Sequence, residues 1–122
     1  MPSIVIRLDP KELENPDLDL RYDIPRLLEL RSRGSIKEDG YDYEPKPSNA
    51  MQIYLSTADL EKAVPLVIEL LERQPMHGNF LARASQVGVS EGDALNTREF
   101  RIVYPAGTLG VIVVPPFPPE RD

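Results

Sequence analysis

The stretch KEDGYDYE, residues 37 to 44, concentrates side chains that could do chemistry, because it holds four carboxylates and two tyrosines in eight positions. Carboxylates can ligate a hard cation, transfer protons or attract a basic partner. Tyrosines add apolar contact area with a polar tip, which suits a binding surface. Three functions therefore compete for this stretch: a metal loop, a catalytic site and a protein-binding surface.

A calcium loop is excluded by the spacing of the carboxylates. When Gly40 is placed at the glycine of the EF-hand pattern, Lys37 and Lys46 fall at the third and twelfth positions, where carboxylates should coordinate the ion. The spacing prescribes no other ligand set, so we expect no specific metal site here.

The simplest interpretation of the stretch is a twisted strand with two alternating faces. Tyr41 and Tyr43 then share one face, while Asp42 and Glu44 point to the other face and to solvent. The functional alternative is a recognition surface for a basic, partly apolar partner. The residues assigned to that surface are Asp39, Tyr41, Asp42, Tyr43 and Glu44.

Catalytic and cofactor chemistry has little support elsewhere in the sequence. The chain contains no cysteine and one histidine, which excludes thiol catalysis, iron–sulfur ligation and multi-histidine metal sites. That histidine, His77, lies in the turn RQPMHGN after a predicted helix, and we interpret it as a loop residue near the last carbonyls of that helix. No pattern selects a nucleophile for it, and no nucleotide-binding glycine motif is present, so we expect no catalytic residue and no cofactor.

The charge balance argues against a nucleic-acid partner. The chain has 20 acidic and 14 basic residues, a formal net charge of −6, whereas nucleic-acid binding depends on basic residues that neutralise phosphates.

The longest apolar runs, SIVIRL and LGVIVV, are strand-sized and far shorter than a membrane span. The start MPSIVIRLDP lacks the features of a secretion signal, and cysteine is absent, so a cytosolic location is expected.

Periodicity predicts the first elements of the chain. SIVIRL alternates in steps of two and predicts a strand with Ile4, Ile6 and Leu8 on its one buried face. The segment DIPRLLELRSRG predicts the first helix, with Asp23 as its N-cap and Pro25 in its first turn. The apolar face of that helix should consist of Leu27, Leu28 and Leu30. SIKEDGYDYEP predicts an extended or hairpin segment that forms the second strand, and MQIYLS predicts the third.

The second helix is predicted from STADLEKAVPLVIELLERQ. Ser56 and Asp59 have the spacing of a capping box at its start, and Pro65 should kink it. The apolar stripe that should face the core consists of Leu60, Val64, Val67, Ile68 and Leu71. A fourth strand follows in FLARASQVGVS, where Gly88 indicates a bulge.

The order of these elements predicts a single α+β domain over residues 1–114. The first 90 residues or so resemble the ferredoxin-like split βαβ arrangement, β-α-β-β-α-β. REFRIVY and LGVIVV predict an added C-terminal β-hairpin, and residues 115–122 predict a proline-rich tail. Because LGVIVV is apolar on both faces, we expect the hairpin to pack on its own sheet or against a second copy, which favours a homodimer.

Size, negative charge and the lack of catalytic motifs together predict a non-enzymatic cytosolic module that binds another, basic protein. An immunity-type protein that neutralises a basic toxin is one concrete form of this hypothesis. The alternative is a small enzyme or ligand-binding domain that uses the open face of the sheet. A pocket that brings His77 or Arg7 together with Tyr54 and a carboxylate would favour that alternative.

Overall fold

The computed structural model describes residues 1–115, which form a six-stranded antiparallel sheet and two helices. In chain order the elements are β1 (Ser3–Leu8), α1 (Leu20–Arg31), β2 (Ile36–Tyr43), β3 (Met51–Thr57), α2 (Leu60–Arg73), β4 (Ser85–Ser90), β5 (Glu99–Tyr104) and β6 (Val111–Val113). The predicted α+β class is therefore confirmed. Of the predicted proline-rich tail, residues 116–122 lie outside the described part of the chain.

The strand order across the sheet is β2-β3-β1-β4-β5-β6, and every neighbouring pair is antiparallel. The two strands joined by α1 lie on either side of β3, and the two strands joined by α2 lie on either side of β1. The antiparallel β5–β6 hairpin extends the sheet beyond β4. Within residues 1–115, no helix is long and apolar enough to cross a membrane.

Both faces of the central strands are buried, which corrects the expectation of one buried face for β1. Ile4, Ile6 and Leu8 pack with the helices, as predicted. Val5 points to the opposite face and is also fully buried, because it packs there against Phe100 and other side chains of a second cluster. The side chains that bury Val5 come from strands far away in the sequence, so the period of two in β1 could not reveal them.

The sheet rolls up so that β6 lies over this second face. The Nε2 atom of Gln52 on β3 donates a hydrogen bond of 3.0 Å to the carbonyl oxygen of Val113, although three strands separate β3 from β6 in the sheet order. A bulge between β4 and β5, at Val87 and Gly88, assists the curvature. Gly88 also allows a close approach, since a Cβ atom there would lie 2.7 Å from the Cβ of Phe100.

The first helix begins earlier than the sequence predicted. Its N-cap is Asp19 rather than Asp23, and Pro25 lies inside the helix, where the hydrogen bond to the carbonyl of Arg21 is missing. The core-facing residues are Leu20, Ile24, Pro25 and Leu28. Leu30, predicted to be in the core, is 70% exposed, because the face defined by positions 20, 24 and 28 turns it away from the sheet.

The second helix is confirmed, but its start and its buried face are shifted. Asp59 is the N-cap and accepts a hydrogen bond of 3.3 Å from the backbone N–H of Lys62, whereas Ser56 belongs to β3. The buried residues are Ala63, Val67, Leu70 and Leu71. Ile68, predicted to be in the core, is only half-buried, because it lies at the flank of the helix face that these four residues define.

Candidate functional site

The stretch KEDGYDYE forms most of β2, an edge strand whose regular alternation is interrupted by a bulge. The register shifts between Glu38, opposite Leu55, and Tyr41, opposite Ile53. Gly40 sits in this bulge with φ of +96°, a conformation that L side chains rarely adopt. After the bulge, Tyr41 lies on the helix-covered face and Asp42, opposite Gln52, lies on the second face.

The two tyrosines of β2 share a face, as predicted, but they pack on a cation of the same chain. The guanidinium carbon of Arg21 lies 4.9 Å from the ring centre of Tyr41 and 4.6 Å from that of Tyr22. The Nη1 atom of Arg21 donates a hydrogen bond of 2.9 Å to the hydroxyl oxygen of Tyr43. Tyr43 therefore anchors α1 to β2, while Tyr41 remains 39% exposed.

A cleft of about 310 Å³ opens where the rolled sheet brings β2 to face the end of β6. It is lined by Asp39, Gly40, Tyr41, Asp42, Tyr54, Ala94, Leu95 and Val114. Ala94 and Leu95 belong to a 3₁₀ turn before β5, and Leu95 is 74% exposed at the rim. Three of the five residues assigned to a recognition surface, Asp39, Tyr41 and Asp42, thus line one cleft.

Glu44 does not face solvent as the alternating pattern predicted. Its carboxylate forms a two-point ion pair with Arg7, at 2.6 Å to Nε and 2.9 Å to Nη2, and accepts a hydrogen bond of 2.6 Å from Ser48. The side chain is 15% exposed. Burial alone would raise the pKa of Glu44, but the hydrogen bonds, first of all from Arg7, outweigh it and lower the pKa. Glu44 is therefore a structural anion behind the cleft.

A chain of hydrogen bonds runs from this ion pair to the cleft and fixes the orientation of each group. The Nε2 atom of Gln52 donates two hydrogen bonds, one of 2.7 Å to the carboxylate of Glu44 and one of 3.0 Å to the carbonyl oxygen of Val113. The Oε1 atom of Gln52 must then accept, and the hydroxyl of Tyr54 donates to it over 2.7 Å. Tyr54 holds its proton firmly, because burial and then the charges of Asp42 and Glu44 raise its pKa.

The polar groups that line the cleft are consequently acceptors. Tyr54 donates its only proton to Gln52, so its hydroxyl has no hydrogen left to donate to a ligand. Asp39 and Asp42 add two carboxylates, and the pKa of Asp39 is raised by burial and by the nearby charge of Asp93. No lining residue in the described part of the chain is Lys, Arg or His. The cleft is complementary to a cation that carries N–H donors.

His77 lies outside this cleft and does not contact the carbonyls of α2 as expected. Its Nε2 atom is 2.6 Å from a carboxylate oxygen of Asp23, and Nδ1 is 3.7 Å from one of Asp17. The backbone of the same turn is tied to the first connection, since Asn15 donates over 3.0 Å to the carbonyl of His77. The histidine therefore links the turn after α2 to the start of α1.

Sequence reasoning does not identify several residues of the cleft and of the hydrogen-bond chain behind it. In the sequence Gln52 is only the polar side of an alternating strand, and nothing connects Leu95 and Val114 to a site. The available signal was the pair Gln52 and Tyr54, two hydrogen-bonding side chains at alternate positions of an otherwise apolar strand. Among residues 1–115, no three His, Asp or Glu side chains are grouped to hold a metal ion.

Comparison of the chain with protein-family models, with curated proteins and with solved structures gave no significant match in any of the three. The function must therefore be inferred from the residues of the cleft.

Proposed function

We propose that this protein is a binding module that recognises a basic partner protein through β2 and the cleft beside it. The observation that carries the proposal is the chemistry of the cleft, which offers negative charge and hydrogen-bond acceptors next to the exposed apolar side chain of Leu95. A formal net charge of −6 supports it, because a negative field steers a basic protein towards the surface. Neutralisation of a basic toxin, as immunity-type proteins do, is one concrete form of this function.

The test begins with co-purification from the native host and continues with association kinetics of the purified partner. Replacing Asp39 and Asp42 by Asn should lower the association rate and flatten its dependence on salt, since charges more than about 8 Å apart are screened at physiological ionic strength. Tyr41→Ala should raise the dissociation rate, because exposed aromatic side chains often anchor interfaces.

Glu69→Gln is the matched control, since Glu69 is exposed on α2, away from β2 and outside the cleft. It removes one charge and should leave the dissociation rate unchanged. The proposal would be contradicted by a partner whose binding rates change neither with salt concentration nor with the substitutions of Asp39, Tyr41 and Asp42.

A second candidate is a small ligand-binding domain or enzyme that uses the second face of the sheet. The observation in its favour is the chain of contacts from Arg7 through Glu44 and Gln52 to Tyr54, which brings Arg7, Tyr54 and a carboxylate together behind a cleft. A small molecule that binds tightly in the cleft without any protein partner would favour this candidate.

We further propose that strands β1 to β4 and helices α1 and α2 form a ferredoxin-like split βαβ unit, to which β5 and β6 are added. Support comes from the interleaved connections, in which β3 separates the two strands joined by α1 and β1 separates the two strands joined by α2.

The absence of cysteine from the sequence is consistent with a cytosolic location, which also belongs to the proposal.

A further inference from the structure

We infer that the outer face of α1 is a docking surface for an acidic amphipathic helix of another protein. This surface lies on the helix side of the sheet and is separate from the cleft beside β2. Two grooves run along α1, one of about 560 Å³ between α1 and the first half of β2, and one of about 300 Å³ between α1 and the turn after α2. Arg26 and Leu30, one helical turn apart, line both grooves and form the ridge between them.

Large apolar side chains on this face of α1 are exposed. Leu30 is 70% exposed and Tyr22 is 41% exposed, and about two helical turns separate them on the same side of the helix. The partly buried Leu27 and Met76 continue the apolar surface into the smaller groove. Leu30 therefore gains full apolar burial only when another molecule covers it.

The charge around α1 is opposite in sign to that of the rest of the chain. Residues 20–37 hold five basic and two acidic side chains, a net charge of +3, whereas the remainder holds nine basic and 18 acidic side chains, a net charge of −9. One of the two acids, Asp23, is compensated within the chain, because its carboxylate lies 2.6 Å from Nε2 of His77. A locally basic surface on an acidic protein is complementary to a partner that carries carboxylates.

Arg26 and Arg33 are the cations that line the larger groove. The side chain of Arg26 is 71% exposed, and its contact with Asp23 is long at 3.4 Å. Arg33 forms no ion pair with any of residues 1–115. Attraction to the last carbonyls of α1 accounts for Arg33, but not for Arg26 in the middle of the helix. Both guanidinium groups are therefore available to bind carboxylates through paired hydrogen bonds.

The shape of the face favours a helix as the occupant. A ridge flanked by two grooves accepts the side chains of a second helix that packs across it. Leucines of an amphipathic helix can then contact Leu30 and Tyr22, while glutamates on its flank reach Arg26 and Arg33. Glu29 and Glu38 line the same groove and repel carboxylates elsewhere, which confines the glutamates to positions beside the arginines.

The inference can be tested on the full chain with a synthetic peptide built from leucine, alanine and glutamate, with the leucines at helical spacing. A length of about 15 residues suffices for partial helicity in water. We expect titration of this peptide to give saturable shifts of backbone amide resonances, confined to α1, the first half of β2 and the turn after α2.

Three further peptides serve as controls. Replacement of every glutamate by glutamine should weaken binding about fivefold, as the loss of two exposed ion pairs predicts. Replacement by lysine should weaken it further, because the lysines repel Arg26 and Arg33. A scrambled order keeps the composition but destroys the apolar face, and should weaken binding at least about tenfold.

Two variants with matched controls connect the response to α1, and all four positions are exposed, so folding should be unaffected. Leu30→Ser should weaken binding of the glutamate peptide about tenfold, whereas Leu109→Ser, at a 92% exposed position in the hairpin, should leave it unchanged. Arg26→Gln should weaken binding and reduce its dependence on salt. Arg101→Gln removes the same charge from β5 and should change neither.

The inference would be overturned if the glutamate peptide gave no saturable shifts, if the lysine peptide bound equally well, or if Leu30→Ser bound like the wild type. Shifts at the same residues that depend on the concentration of the protein alone would also overturn it, because a second copy would then cover α1. The proposed function stands or falls separately, since it depends on Asp39, Tyr41 and Asp42, none of which lines either groove.

Discussion

His77 connects two parts of the chain through a charge that depends on pH. Its ring lies 2.6 Å from a carboxylate oxygen of Asp23, and this hydrogen bond is the main cause that raises the pKa of His77 above its ordinary value of 6.5. Burial opposes the shift, while the charges of Asp17 and Asp19 add to it; Arg26, 3.4 Å from Asp23, competes for the same carboxylate. Protonated His77 therefore favours the folded state.

We expect this contribution to be fully present below about pH 6.5, the unfolded pKa, and to disappear as the pH rises through the higher folded pKa. The measurement is urea unfolding of the wild type and His77→Asn from about pH 5 to about pH 9. Asn is the appropriate replacement because His77 has φ of +52°, a conformation that Asn tolerates. A stability difference that is the same at all pH values would show that the imidazole charge plays no part.

At the scale of elements, Gly88 allows β4 to pack closely against β5. A methyl group there would lie 2.7 Å from Phe100 Cβ and 3.2 Å from Val5 Cγ1, both in the second cluster. Gly88→Ala should therefore lower the free energy of unfolding by about 1–3 kcal/mol or more, as overpacking does. Gly92→Ala is the control, since its added methyl group would have ordinary contacts of 3.7 Å or longer. Equal losses in urea unfolding would mean that the close contacts at Gly88 do not cause the destabilisation.

The buried face of α2 gives a second prediction at this scale. Leu71 is 1% exposed in the main core, so Leu71→Ala should cost about 2–5 kcal/mol of unfolding free energy. Ile68→Ala should cost clearly less, because Ile68 is only half-buried. The two substitutions remove similar volumes from the same helix, which makes them a matched pair. A larger loss at Ile68 than at Leu71 would contradict the observed orientation of the helix.

The elements themselves could be predicted from local patterns, whereas their faces and partners could not. The period of two identified β1 and the 3.6-residue period identified α2, because each period is a property of neighbouring residues. The burial of Val5 depends on Phe100, and the burial of Glu44 depends on Arg7 and Gln52, all of which lie on other strands. Alternation predicts that the polar residues of a strand face solvent, whereas Glu44 and Gln52 face other polar side chains inside the rolled sheet.

At the scale of the whole molecule, rolling of the sheet produces the cleft. The roll buries Phe100 and Ile112 against the centre of the sheet and brings Val114 beside the acidic end of β2. The hydrogen bond from Gln52 to Val113 then joins the last strand to the hydrogen-bond chain that orients Tyr54. We therefore infer that the hairpin is part of the site and that substitutions in β6 can alter the cleft without touching a ligand.

The outward face of the hairpin is the most apolar exposed surface of the sheet and suggests a second copy as its partner. Val111 and Val113 are 46% and 57% exposed, and they lie opposite Arg101 and Glu99 on the same face. This patch is self-complementary, because two copies related by a two-fold axis can place Glu99 of each against Arg101 of the other.

We propose a homodimer through this patch and expect sedimentation equilibrium to give about twice the chain mass of 13.7 kDa at high protein concentration. Val113→Lys should shift the equilibrium to the monomer, because it places a charge in the centre of the patch. Leu18→Lys is the control, since Leu18 is also 57% exposed but lies outside the hairpin. Exchange of charge in Glu99→Arg should weaken the dimer, and the double variant with Arg101→Glu should restore it, since the self-complementary pair is rebuilt. If wild type and Val113→Lys are both monomeric, the exposed valines do not mediate self-association, and the hairpin serves only to close the cleft.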